Sequence, residues 1–247
     1  MSNRHLLTGT KVFTYSDWKE KFRYQNLSHT TSKLLFGIRL GFVSVLALGA
    51  CANAITGVAL PQESIETCYW DALHEVSAPL NTYFAENAYA RHSLLISSSM
   101  VVDFLLLSFA VRYVMFGKSC RELVFLVSFY GFRAVIQGLF LMKFPEGLAW
   151  DRPPFPSLTV SYALTSDFFY SGHLGVVTFC ALENHKAKNY LLAWVSVFSI
   201  VFEFFVMVVL RGHYTIDLIS GIVFAHYIWI VSGKFSRFLD KKIGYLE

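Results

Sequence analysis

Charge is what this sequence has least of. Only 15% of its 247 residues are Asp, Glu, Lys or Arg, against 55% apolar and 17% aromatic residues. That balance excludes an ordinary soluble domain and belongs to a chain that crosses a bilayer repeatedly. The net charge is only +4 and the basic residues stand between hydrophobic runs rather than in one patch, which excludes nucleic acid as a partner. Cysteine is scarce too. Cys51, Cys68, Cys120 and Cys180 include no CxxC spacing, and three of them lie in or beside apolar segments, which argues against an internal disulfide or a cysteine metal site. The N-terminus lacks the apolar core of a secretory signal, so insertion is expected to rely on the first span itself.

What is abundant is hydrophobic length. A span needs about 20 predominantly apolar residues, and six segments supply it: Leu34 to Leu60, Leu94 to Phe116, Leu123 to Met142, a fourth after Ser166-Asp167, Tyr190 to Leu210, and Tyr214 to Val231. The expected fold is all-α, a polytopic six-helix membrane protein. Residues 1–32 form a polar and basic N-terminal segment, 33–233 the membrane domain and 234–247 a tail. Trp18 and Phe22 are four apart among basic residues, which fits either a short helix on the membrane surface or a partly ordered tail. Pro61 to His92 reads as a polar loop. Lys143 to Thr165 reads as a second, too rich in proline for helix.

Basic residues fix the expected orientation. Both ends of the chain, Lys118 with Arg121, and Lys186 with Lys188 fall on one side, while the other offers Arg91, Lys143, Arg152 and Arg211. Both termini are therefore expected in the cytoplasm, and the sequon at Asn26 is expected to carry no glycan.

Ionisable residues inside apolar runs demand a reason. Asp103 and Arg133 each lie roughly 15 Å deep by helical rise, so a buried pair is expected. The most demanding stretches are Ser171-Gly172-His173 and, forty residues on, Arg211-Gly212-His213-Tyr214-Thr215-Ile216-Asp217. In a helix starting near Gly212, His213 and Asp217 share a face. A carboxylate on one ring nitrogen fixes the tautomer that leaves the other free to attack. Ser171 and Gly172 precede an apolar run as an N-cap would, so the helix start offers N–H groups to an anion, and His173 there suits proton transfer to a leaving oxygen. Together these parts describe a phosphate site. His74 and His226 read as packing residues.

The "SGH" and "HYTID" motifs resemble the last two motifs of the sphingomyelin synthase branch of the type-2 phosphatidic acid phosphatase superfamily. The longer "RGHYTIDL" is most similar to the plant phosphatidylcholine:diacylglycerol cholinephosphotransferases. The resemblance implies a six-helix bundle, no metal or other cofactor, and transfer of a phospho-headgroup, phosphocholine foremost with ethanolamine and inositol headgroups left open, from a phospholipid donor such as phosphatidylcholine to a lipid alcohol, diacylglycerol or ceramide, through a phosphohistidine. By motif position His213 is the nucleophile, Asp217 its partner, and His173 the acid and then the base. The remaining substrate-binding set is Arg133, Arg211, Ser171, Gly172 and Tyr214. Arg133 either binds the substrate phosphate or neutralises Asp103 or Glu203, and Arg211 is a phosphate ligand or an interfacial anchor. The resemblance implies an endoplasmic reticulum or Golgi membrane, and with the expected topology it places the site on the luminal or exoplasmic side. Three other readings compete: a lipid phosphatase of the same superfamily, a zinc-dependent membrane lipid hydrolase, and a lipid-binding protein without catalysis.

Overall fold

The computed structural model describes residues 33–45, 69–117, 119–139, 142–160, 162 and 168–242. Regular structure among them is all helical: α1 (33–45), α2 (Ala72–Val76), α3 (Ala78–Glu86), α4 (Ala88–Phe116), α5 (Arg121–Leu139), α6 (Gly172–Lys186), α7 (Tyr190–Val209) and α8 (Thr215–Lys242). The expectations at Trp18, Phe22, Asn26, Cys51, Cys68 and Ser166-Asp167 lie outside the described residues.

Helices α4, α7 and α8 are long and apolar enough to cross a bilayer. Their outer faces expose large apolar side chains, among them Phe104, Val111, Trp194, Phe198 and Val223. Water opposes such a surface and acyl chains accept it, so these helices fit a membrane protein.

At the centre stands α6, whose residues Leu174 to Cys180 are all buried, as befits a helix apolar all round. It packs against α4, α7 and α8, and α5 closes against α8. Phe179 of α6 stacks on Phe125 of α5 at 4.1 Å and meets Phe109 of α4 edge-on at 4.8 Å, geometries that aromatic pairs favour. A Cβ on Gly175 would overlap the Phe129 ring, so only glycine lets α5 approach α6 here. That contact sets the height of the next turn of α5, which carries Arg133.

The opposite end is held by charged clamps. Arg39 of α1 donates to the Gly117 carbonyl at 2.5 Å and the Tyr113 carbonyl at 3.3 Å. Arg121 lies over the Trp229 ring at 3.7 Å and 3.5 Å from Glu183. Asp240 accepts from the Ser119 hydroxyl and the Cys120 N–H, both at 2.7 Å. This explains why α8 runs into the expected tail: Ser232, Ser236 and Asp240, four apart on one face, are buried and hold it helical to Lys242.

The expected Pro61 to His92 loop is, in its described part, α2 and α3 followed by an early start of α4. Asp71 caps α2, accepting from Leu73 N–H at 3.0 Å. The pair is amphipathic in the reverse sense, since His74, Ser77 and Asn81 face inward while Trp70, Val76, Leu80 and Tyr83 are exposed.

Candidate active site

Helix α6 starts at Gly172 because Ser171 is extended and its hydroxyl accepts from the Leu174 N–H. His173 therefore lies in the first turn, where main-chain N–H groups lack partners within the helix.

His213 arrives differently. Arg211 adopts a left-handed φ of 54°, and Gly212 N–H closes the end of α7 on the Met207 carbonyl at 3.0 Å. The helix expected from Gly212 begins only at Thr215, so His213 stands outside it. Asp217, in the first turn of α8, reaches back. Its Oδ2 accepts from Tyr214 N–H at 3.1 Å and lies 3.4 Å from His213 Nδ1, while its Oδ1 accepts from Phe169 N–H at 3.1 Å. The pair is thus delivered by a helix cap rather than by successive turns of one helix. Both side chains are buried.

Three contacts bring the motifs together. The Ser171 N–H donates to the Asp217 carbonyl at 2.9 Å, and Gly221 lies so close to Ser171 that a Cβ would stand 2.8 Å from its carbonyl oxygen. The Trp150 ring meets His173 edge-on at 5.9 Å and packs on Gly212. It is carried there by the proline-rich segment, which Ala149 N–H ties to the Leu210 carbonyl at 2.9 Å. Both histidine motifs therefore occupy one end of the bundle.

Arg133 joins them. Its Nε donates to the Tyr170 carbonyl at 3.3 Å, and its guanidinium carbon lies 3.5 Å from where a Gly172 Cβ would be. The expected pairing with Asp103 does not occur. Asp103 instead accepts from Ser157 Oγ at 3.1 Å, Leu158 N–H at 2.8 Å, and Thr159 N–H at 2.9 Å, satisfying main-chain donors of the proline-rich segment. Glu203 accepts from Ser98 Oγ at 2.8 Å and likewise does not meet Arg133.

Arg211 bonds main-chain carbonyls, Glu146 at 2.5 Å and His74 at 3.2 Å, tying the proline-rich segment and α2 to the His213 loop. Tyr214 is buried, donates its hydroxyl to the Lys143 carbonyl at 3.1 Å, and stacks near His74. His226 sits on the exposed face of α8 against Trp229 rather than inside the bundle.

Five residues at this end escaped the sequence reading of the site. Asp71 accepts from Thr215 N–H at 2.6 Å and its hydroxyl at 2.7 Å, so the residue that caps α2 caps α8 as well. His74 Nε2–H donates to the His213 carbonyl at 3.0 Å. Asn81 donates to the Gly147 and Val209 carbonyls at 3.0 and 2.9 Å. Trp150 borders His173, and Phe168 meets the His213 ring edge-on at 5.8 Å. Burial pushes the His74 pKa down, which keeps the ring neutral. Burial alone would raise Asp71, but the bonds from Thr215 and Leu73 together with the nearby His74 lower it, and the carboxyl lies below its ordinary range. Arg91, with His92, holds the Asp151 carboxyl at about 2 and so anchors the proline-rich segment to α4.

Among the described residues no three His, Cys, Asp or Glu side chains converge as a metal site requires. No curated protein and no solved structure matches the chain. The family model AtPDCT1/2 matches residues 70–234, a stretch holding both histidine motifs, Arg133 and the α2–α3 pair. The chain therefore belongs to the AtPDCT1/2 family, that of phosphatidylcholine:diacylglycerol cholinephosphotransferase, and is a phosphotransferase of membrane lipids.

Proposed function

We propose that this protein moves phosphocholine from phosphatidylcholine to diacylglycerol through a phosphohistidine on His213. The observation that carries the reading is the 2.9 Å main-chain bond from Ser171 to Asp217, which couples the two histidine motifs. In the first half-reaction His213, neutral and with Nδ1–H turned to Asp217, attacks phosphorus through Nε2. The P–N bond forms as the P–O bond to the donor's diacylglycerol breaks, and protonated His173 gives its proton to the departing oxygen. In the second half, a new diacylglycerol hydroxyl loses its proton to His173 and takes the phosphoryl group, which frees His213. Arg133 and the first-turn N–H groups of α6 stabilise charge on the equatorial phosphate oxygens. Arg211, Ser171, Gly172 and Tyr214 shape the same pocket, Arg211 by holding its walls.

The basic residues at the opposite end support a cytoplasmic placement for that end and a luminal site in an endoplasmic reticulum or Golgi membrane, within six spans formed by α1 and α4 to α8. The test is exchange of labelled choline headgroup between phosphatidylcholine and diacylglycerol by purified protein. H213A should abolish exchange, and D217N should lower it by about 10³-fold or more through the wrong tautomer. Exchange surviving in H213A would exclude this nucleophile, and release of free phosphocholine at the rate of exchange would favour a hydrolase.

A further inference from the structure

The end of the bundle away from the histidine motifs sorts its charges by direction. Its acids turn inward. Glu183 faces Arg121 and the Trp229 indole, Asp240 accepts from Ser119 and Cys120, and Oε2 of Glu122 is buried. Its fully exposed charges are cationic: Lys186 and Lys188 where α6 ends, and Lys234, Arg237, Lys241 and Lys242 on the last turns of α8. Among the described residues none of the four on α8 forms an ion pair. Arg237 donates its Nε to the Gly233 carbonyl of its own helix at 3.2 Å, which leaves the two terminal nitrogens of its fork pointing outward.

Helix length sets where these cations stand. With 28 residues α8 climbs about 42 Å beside about 30 Å of hydrocarbon, so its last two turns or so reach the level of lipid headgroups. There Ser232, Ser236 and Asp240 are buried, and the bonds of Asp240 to Ser119 and Cys120 fix the rotation of the helix. At about 100° per residue, the exposed side chains of Lys234, Phe235, Arg237, Phe238, Lys241 and Lys242 fill one arc of about 160°. Phe235 and Phe238 are 53% and 57% exposed, their ring centroids 6.5 Å apart, and Lys242 Nζ lies 4.7 Å from the centre of the Phe238 ring. Rings and cations on one face call for a partner that offers apolar chains and negative charge side by side. A phospholipid does so within one molecule.

We propose that this face of α8 binds anionic phospholipid in the leaflet opposite the histidine motifs. The two phenylalanine rings lie against the upper acyl chains, and the cations around them meet the headgroup. Arg237 brings a fork suited to phosphate oxygens, and the lysines bring point charges. A zwitterionic headgroup carries its own ammonium, which four clustered cations repel. An anionic one leaves its phosphate uncompensated or adds a second negative group, so the face selects by net charge and loses its selectivity as salt screens it. The proposal stands apart from the headgroup-transfer reading, since the face lies at the far end of α8 from Asp217.

The experiment is electron spin resonance on purified full-length protein in phosphatidylcholine vesicles holding a trace of spin-labelled phosphatidylserine, phosphatidylglycerol or phosphatidylcholine. It reads the fraction of each probe immobilised on the protein. Both anionic probes should be immobilised about threefold or more over phosphatidylcholine at low salt, and high salt should erase most of that excess. The quadruple variant K234Q/R237Q/K241Q/K242Q should abolish it with melting unchanged. F235S/F238S should reduce it with every charge kept, and K186Q/K188Q should retain most of it. If the quadruple variant fails to fold, K241Q/K242Q gives the second reading and should remove about half of the excess. Equal immobilisation of the three probes by the parent protein would overturn the proposal, as would an excess that survives the quadruple substitution. A loss in K186Q/K188Q as large as in the quadruple variant would assign the selection to overall charge and overturn this face as its seat. H213A should bind the anionic probes as the parent does, so failure of the phosphohistidine reading shows separately, as exchange in that variant.

Discussion

The contact between Gly221 and Ser171 gives the sharpest test of how the site is assembled. An alanine there would place its Cβ 2.8 Å from the Ser171 carbonyl oxygen and 3.1 Å from its nitrogen. Both atoms are main chain, so no side chain can rotate aside. Restoring ordinary contact requires α6 and α8 to part by roughly 0.5–1 Å. The Ser171 N–H to Asp217 carbonyl bond, 2.9 Å at present, lies directly in that gap and lengthens beyond a useful hydrogen bond. Overpacking of this kind costs about 1–3 kcal/mol. The effect on rate should be larger than that figure suggests, because the displaced turn carries His173, and misplacing a reacting group by about 1 Å costs on the order of 100-fold. Gly131 in α5 is the control: nothing lies within 4 Å of its would-be Cβ, and alanine there should be neutral or stabilising by up to about 1 kcal/mol. Turnover in the headgroup-exchange assay, read beside thermal melting of both variants, decides the matter. If G221A exchanges headgroups within about threefold of the parent protein, the convergence of the two motifs through this contact is not what positions the histidines.

Asn81 should matter more than an ordinary polar residue in a connecting segment. N81A leaves the carbonyls of Gly147 and Val209 without their donor, at about 1–3 kcal/mol for each group that water cannot reach, and should lower the melting temperature and increase protease cutting between 142 and 160. His74 gives a pH prediction. Its folded pKa lies below the ordinary 6.5 because of burial, so the unfolded chain binds the proton more readily and stability falls as pH drops through that value. Melting measured between pH 7.5 and 5.5 should fall less steeply in H74Q than in the parent protein; parallel curves would refute the role given to His74.

The sequence made the membrane helices and the two histidine motifs legible, since apolar length and short motifs are local properties. Tyr190 to Leu210 is legible almost to the residue, because Asn189 caps one end and Arg211-Gly212 turns the other. What it concealed was pairing across long separations. Depth along their helices matches Asp103 to Arg133, but depth does not specify rotation about the helix axis, and Asp103 turns to the proline-rich segment instead. Helices α2 and α3 were hidden for another reason. Their inward face is polar because it serves main-chain carbonyls around His213 and Gly147, so the periodicity that marks a packed helix is reversed. His74 is a fair illustration: its hydrogen bond joins residues 139 positions apart, and no motif spans such a gap. The start of α8 lies three residues beyond Gly212, because Asp217 caps the helix from within, which the residue pattern does not signal.

Helix α6 has only 15 residues, about 22 Å of rise beside a hydrocarbon layer of about 30 Å. Its Ser171-Gly172-His173 turn is consequently recessed, by roughly 8 Å relative to the far end of the 20-residue α7 at its side. Diacylglycerol has no headgroup to hold it at the surface, and its single hydroxyl rides beneath the plane of the phosphates. On the proposed function, a reaction centre sunk to that level would meet the alcohol where it already floats. Both lipids would then enter sideways from their own leaflet, and neither would have to be hauled up into water for the exchange to occur.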